Sequence, residues 1–251
     1  MRRAWLLLFL TPLLAGASCH DLSGFTAGGG DAGAVEADGG AESGAVPPPI
    51  EVPDAGADAE AGTSTSALSI EPPQRSPSGT IDLTAEGSVD WREHHSDDGA
   101  TNRCGSCLPA ISEIRSSTGG YSDYSDDDRT FVWSNGAPIE AGSMRGGVYV
   151  TDVGSKLSLD VASAPEPRAL VLHINTYFTG ATITARLEGS DLEPVTTTLP
   201  TEQGAVKYMV RIRFASAAPG TLVVDYTLSE KTPSAPDFNI AFSAATLAPA
   251  P

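Results

Sequence analysis

The densest run of chemically capable side chains is HHSDDGATNRCGSC, residues 94–107. Cys104 and Cys107 with His94 or His95 are the residue types that bind zinc, but a structural site wants four ligands at supportive spacings. Adjacent histidines in an extended chain point to opposite faces, so both do not readily serve one ion. A C-x-x-C redox centre belongs at a helix start within a βαβ unit, and no such unit is visible around this one. The expectation is a disulfide between Cys104 and Cys107 across a tight loop in an oxidising compartment. A ring that small stabilises by about 2 kcal/mol and mainly shapes the loop.

A second acidic run, SDYSDDDR at residues 122–129, offers Asp123, Asp126 and Asp128 as calcium ligands, with Asp127 in the same loop. Calcium takes six to eight oxygens and can hold carboxylates that otherwise repel, although the spacing is not that of an EF-hand. A solvated acidic turn with Arg129 as counter-charge is the competing reading. Apart from that calcium, the sequence implies no cofactor. The phase of RALVLHINTYF that carries His173, Asn175 and Tyr177 is a candidate ligand face, with Arg186, Arg211 and Arg213 on neighbouring strands. Such a face suits a glycan or an acidic ligand, or is an ordinary wetted sheet surface. Trp91 and Trp133 each follow an apolar residue by two, which assigns them to the core. No G-x-S-x-G elbow, H-E-x-x-H pair or phosphate-cradling glycine loop is present, so catalysis is not expected. A paired-carboxylate hydrolase stays open, because carboxylate separation is not written in a sequence.

The elements that must position these groups follow a period of two. Leu170, Leu172 and Ile174 alternate with Val171, His173 and Asn175, and Val206, Tyr208, Val210, Ile212 and Phe214 oppose Lys207, Arg211 and Arg213. ATITARLEG, TLVVDYTL and DFNIAFSAATL repeat the pattern, as do TIDLT, SVDW, TFVW, GVYVT and KLSLDV earlier in the chain. About ten strands punctuated by Gly, Pro, Asp and Ser predict an all-β domain over residues 79–251. The expected architecture is a two-sheet antiparallel jelly-roll-like β-sandwich, with short helical turns near Leu108 to Ile114.

Within that domain IDLTAEGSVDW, FVWSNGAPIEAGSMRGGVYVTDVGSKLSLDV and PRALVLHINTYFTGATITARLEGSD resemble an accessory β-sandwich module of bacterial secreted proteins, some of them carbohydrate-active. The resemblance spans most of residues 79–247 and is one of pattern. Modules of that kind are galactose-binding-like jelly rolls, so the resemblance implies non-catalytic binding or spacing.

Residues 1–18 have the three parts of an export signal: Arg2 and Arg3, an apolar run broken by Pro12, and small residues before a cut. Two cuts compete. AGA at residues 15–17 suits the ordinary signal peptidase and a soluble secreted product. GASC resembles a bacterial lipobox, with Cys19 as the lipidated residue, although Gly16 stands where Leu, Val or Ile is usual. Lipid on Cys19 would leave the other two of the three cysteines as a pair. Residues 19–78 are rich in Gly, Ala and Pro and hold ten Asp and Glu against the single Arg75. Such a segment buries too little apolar area to offset its ordering entropy and is expected as a disordered linker. Residues 79–251 hold 22 Asp and Glu against 12 Lys and Arg, within a net charge of −17 for the chain. Nucleic acid is excluded as a partner for want of a basic footprint, and the membrane is expected only through the lipid. The expected setting is the bacterial cell envelope outside the cytoplasm, with a glycan or another envelope component as partner. A spacing lipoprotein without a small ligand is the alternative.

Overall fold

The computed structural model describes residues 65–95, 99–103, 108–233 and 235–251. Cys19, Cys104 and Cys107 lie outside the described residues, as do residues 1–18 and most of residues 19–78. Seventeen strands and one helical turn follow in order: β1 (Ala67–Ile70), β2 (Gln74–Arg75), β3 (Gly79–Asp82), α1 (Leu83–Glu86), β4 (Asp90–His95), β5 (Gly99–Asn102), β6 (Arg115–Ser116), β7 (Ser122–Tyr124) and β8 (Arg129–Trp133). Then come β9 (Gly142–Met144), β10 (Gly147–Val150), β11 (Lys156–Ser163), β12 (Arg168–Tyr177), β13 (Thr179–Glu188), β14 (Val195–Leu199), β15 (Ala205–Ala215), β16 (Gly220–Lys231) and β17 (Asn239–Pro249).

The last eight strands pair as nested antiparallel partners: β10 with β17, β11 with β16, β12 with β15, and β13 with β14. Rolling that long hairpin adds β12 to β17 and β13 to β16, giving one sheet ordered β15-β12-β17-β10 and another ordered β14-β13-β16-β11. This is the strand order of a jelly roll. The alternation sets the faces. Leu170, Leu172, Ile174, Val210, Ile212 and Phe214 from the first sheet meet Leu157, Leu159, Ile183, Leu222, Val224 and Leu228 from the second in one core.

To the two expected sheets of the roll the structure adds one more. A third, three-stranded sheet, with β3 parallel to β8 and β8 antiparallel to β9, lies over part of the outward face of the first. Leu83, Trp91, Phe131, Trp133, Met144 and Ala244 form a second cluster there. The tryptophans are core residues, as their neighbours foretell: Trp91 is fully buried, and its ring lies 5.7 Å from that of Trp133. β12 is therefore buried on both phases from Ala169 to Thr176. The register between β12 and β17 slips at His173/Ile174, leaving Ser243 as an extra residue. Phe242 and Ala245 both face the roll core, while Ala244 turns to the second cluster. A bulge thus lets one strand serve two cores.

The folded region also starts earlier than residue 79. Along ALSI, β1 pairs with β15 from Ala67↔Ala215 to Ile70↔Ile212, and Leu68 and Ile70 pack against the main core. A chain starting at Gly79 bares both the edge of β15 and the apolar area under those two residues. It is expected to be less stable than one starting at Thr65 by roughly 2 kcal/mol, read as a lower denaturant midpoint. Equal midpoints would show that β1 is an ornament. Residues 108–114 form no helix: Ile111 bridges Val161, and its amide donates to Asp90 Oδ2 at 2.9 Å. Among the described residues the one helical turn is α1, whose N-cap Asp82 accepts from the Ala85 amide at 3.1 Å.

Entry and exit share one end of the first sheet. Thr65, Ala67, Ala250 and Pro251 line a single hollow of ≈ 570 Å³, and Arg213 Nη1 donates to the Pro251 carbonyl at 3.3 Å. β12 starts at that end, where Arg168 pairs with Phe214 and Pro249, and runs ten residues to the other.

Candidate functional site

At that other end the outward face of the first sheet is open. Strand register places two rows of side chains across it. Tyr149, Ala241, Asn175 and Lys207 stand opposite one another on β10, β17, β12 and β15. Asn239, Tyr177 and Ala205 form the row beyond. Asp123, Tyr124, Asp126 and Asp127 wall the rows from β7 and the turn after it, closing a cleft of ≈ 370 Å³. That volume is within the usual range for small-molecule sites. The small Ala241 and Ala205 make the depression, and the Tyr149 and Tyr177 rings, both partly exposed, flank it.

The wall stands on a buried ion pair. Asp127 and Arg129 side chains are both 0% exposed. Asp127 Oδ1 accepts from the Arg129 amide at 2.9 Å and from Nε at 3.1 Å, and Oδ2 accepts from Nη2 at 2.7 Å. Asn175 locks the pair to the sheet: its carbonyl oxygen accepts from Arg129 Nη2, and its Nδ2 donates to Asp127 Oδ2 at 3.2 Å and to the Tyr124 hydroxyl at 2.6 Å. The bulged Ser243 lies 2.9 Å from that hydroxyl and 3.2 Å from Arg129 Nη2. Burial works to raise the Asp127 pKa, but the hydrogen bonds and charge of Arg129, aided by Asn175, take it down to about 2. Burial pushes the Tyr124 phenol up, reinforced by the Asp127 charge. The chain entering β10 can lie this close to β7 because Gly146 carries no Cβ, and this close to β17 because Gly147 carries none. At φ +118° and +154°, a Cβ on them would sit 1.8 Å from the Tyr124 backbone carbonyl oxygen and 2.1 Å from that of Phe242.

The residues singled out from the sequence are divided by this arrangement. Asn175 and Tyr177 line the cleft. His173, on the same phase, is 2% exposed: Phe131 packs edge-on at 5.4 Å, and its Nε2 lies 3.0 Å from Glu86 Oε2. The third sheet reaches His173 and stops at the Arg129 pair. This phase of β12 is therefore buried through Asn175 and opens only at Tyr177, rather than being wetted along its length. Asp123 and Asp126 line the cleft, whereas Asp128 pairs with Lys207 at 2.7 Å. Among the described residues no three or more His, Cys, Asp or Glu gather as a metal site would require. Arg211 and Arg213 both pair with Glu71, and Arg186 lies on the second sheet beside Asp225. Tyr149, Lys207, Asn239 and the alanines were not singled out from sequence. Their signal was the outward phase of GVYVT, VKYMV and NIAF, which has meaning only once the strands are paired.

No family model matches the chain, and no curated protein matches it. One solved structure that it matches is TmCBM61 in complex with β-1,4-galactotriose, at 14% identity over 47% of this chain and 88% of that one. The TM-score is 0.15, and the likeness carries no argument.

Proposed function

We propose that this protein is a non-catalytic binding module whose cleft takes a neutral, polyhydroxylated ligand of the carbohydrate class. The observation that carries the reading is the pairing of two tyrosine rings with hydrogen-bonding side chains around one depression: Tyr149 and Tyr177 beside Asp123, Asp126 and Asn239. Rings offer an apolar platform to the C–H face of a sugar, and carboxylates and amides accept from or donate to its hydroxyls. The exposed Asp123 and Asp126 repel an acidic ligand, and the cation at the rim, Lys207, is already matched by Asp128. Asp127 is the wrong carboxyl for a general acid, since both its oxygens accept from Arg129 and its pKa is lowered rather than raised. The export-type start, Cys19 and the acidic linker support a tethered envelope setting for this module.

The test uses the full chain with Cys19→Ser, recovered in soluble form, in pull-downs on neutral, amino and acidic polysaccharides. Retention by a neutral glycan is expected, reduced at least about tenfold by Ala205→Trp, which puts a ring into the cleft from an exposed position at almost no cost to the core. Retention by none of the glycans, or retention indifferent to Ala205→Trp, defeats the reading. The tether is tested by the same substitution: wild type is expected in the membrane fraction and Cys19→Ser outside it. Wild type already free of membranes removes the tether and leaves the cleft reading standing.

A further inference from the structure

One short segment closes the cleft on two adjoining sides. On the inner side, toward the end where the chain enters and leaves the roll, its contacts cross three strands of the first sheet. The Tyr124 hydroxyl lies 2.9 Å from Ser243 Oγ of β17 and accepts from Asn175 Nδ2 of β12 at 2.6 Å. Asp127 Oδ2 accepts from the same amide at 3.2 Å, and the Asp128 carboxylate lies 2.7 Å from Lys207 Nζ of β15. Behind this wall the face offers no room. Arg129 stacks 5.3 Å over the Phe131 ring, and Phe131 covers His173, the next outward residue along β12, which is 2% exposed.

The start of the same segment closes the β7 side. β7 pairs with β10 from Gly147↔Tyr124 to Tyr149↔Ser122, and Asp123, Tyr124 and Asp126 line the cleft from there. The wall is fixed at its base: the Asp127 and Arg129 side chains are 0% exposed, and Arg145 Nε donates to the Asp127 carbonyl at 2.6 Å. It does not swing aside for a ligand, since opening it strands a guanidinium away from water. The remaining two sides are free. Tyr177 and Asn239 are partly exposed at the tip, and Ala205 is exposed on the β15 side.

A straight polymer crossing a cleft needs two opposite openings. Here the tip faces the inner wall and the β15 side faces the β7 wall, so every straight line across the cleft has a single exit. Resting on the carbohydrate reading above, we propose that the module recognises the end of a glycan chain and not its interior. The ≈ 370 Å³ of the cleft lies near the bottom of the roughly 300–1,000 Å³ of small-molecule sites, room for about one or two sugar units. The terminal unit sits over Ala241 between the Tyr149 and Tyr177 rings, with Asp126 and Asn239 within the same lining, and the rest of the chain trails out past the tip.

The test is titration calorimetry of the full chain with Cys19→Ser against cello-, xylo-, manno- and galacto-oligosaccharides from monosaccharide to hexasaccharide. The soluble polymer of the series that binds is then titrated before and after partial acid hydrolysis. Affinity is expected to change by less than about twofold beyond the trisaccharide, and Ala205→Trp to weaken it at least about tenfold at every length. Sites per gram of polymer should rise in proportion to the chain ends that hydrolysis releases. Affinity that keeps climbing past the trisaccharide overturns the chain-end inference and leaves the carbohydrate reading intact. A site density that hydrolysis leaves unchanged does the same. Failure of every sugar to bind, or binding indifferent to Ala205→Trp, defeats the carbohydrate reading and this inference with it.

Discussion

Asp127→Ala is expected to lower stability at neutral pH by about 3–5 kcal/mol, because it strands a guanidinium that has no access to water. Arg129 is 0% exposed, and its neutral partners, Asn175 and Ser243, cannot match its charge. The double change Asp127→Ala with Arg129→Met should be much less damaging than the single one, since removing both charges also removes the cost of burying them. A double variant as unstable as the single would mean that the loss comes from hydrogen bonding to Asn175 and Tyr124, not from the orphaned charge. The pair also sets an acid limit. The Asp127 pKa is lowered in the fold to about 2, so the fold favours the ionised carboxylate. Its contribution, about 2 kcal/mol, is complete above the pKa of the unfolded carboxyl near 4 and is lost as pH falls through the folded value. Denaturant midpoints of wild type should therefore decline between about pH 4 and pH 2 more steeply than those of the double variant. Parallel declines would assign acid sensitivity to other carboxylates.

The second large effect belongs to Trp91. It is fully buried between α1, β8 and the bulged part of β17, and its Nε1 donates to Asn135 Oδ1 at 3.2 Å. Trp91→Ala is expected to cost about 3–5 kcal/mol, which for a domain of this size lowers Tm by roughly 10 °C. The roll core does not depend on Trp91, so the damage should concentrate in the third sheet. Amides of β8 and β9 should lose hydrogen-exchange protection well beyond those of β13 and β16. Uniform loss across all three sheets would show that the layer and the roll unfold as one unit.

The contrast between these two sites explains what was legible beforehand. The roll was readable because period-two alternation in residues such as Val206 to Phe214 is a local property that survives any pairing. Its third layer was not. Leu83, Trp91, Phe131 and Met144 sit in separate short segments, and the face they cover carries His173 and Asn175, which read as polar. The bulge at Ser243 has no Gly or Pro to mark it, yet it alone reverses the phase of β17. ALSI was hidden by its low-complexity neighbours. In DDDR, three acids beside one Arg look like a solvated turn; only the fold reveals that Asp127 and Arg129 share a phase that Asn175 closes over. The cleft was legible in part. Asn175 and Tyr177 stand on a long strand whose phase is plain, whereas Tyr149, Lys207 and Asn239 join them only through register.

The hollow shared by Thr65 and Pro251 gives the molecule a handle. Both backbone ends of the roll emerge side by side, and the ten residues of β12 put about 30 Å between that exit and the row of Tyr177. The roll thereby carries both of its backbone ends at the end opposite the cleft. It can be spliced into a surface loop of a host protein through both ends at once, or permuted by joining them, without a linker crossing the tip.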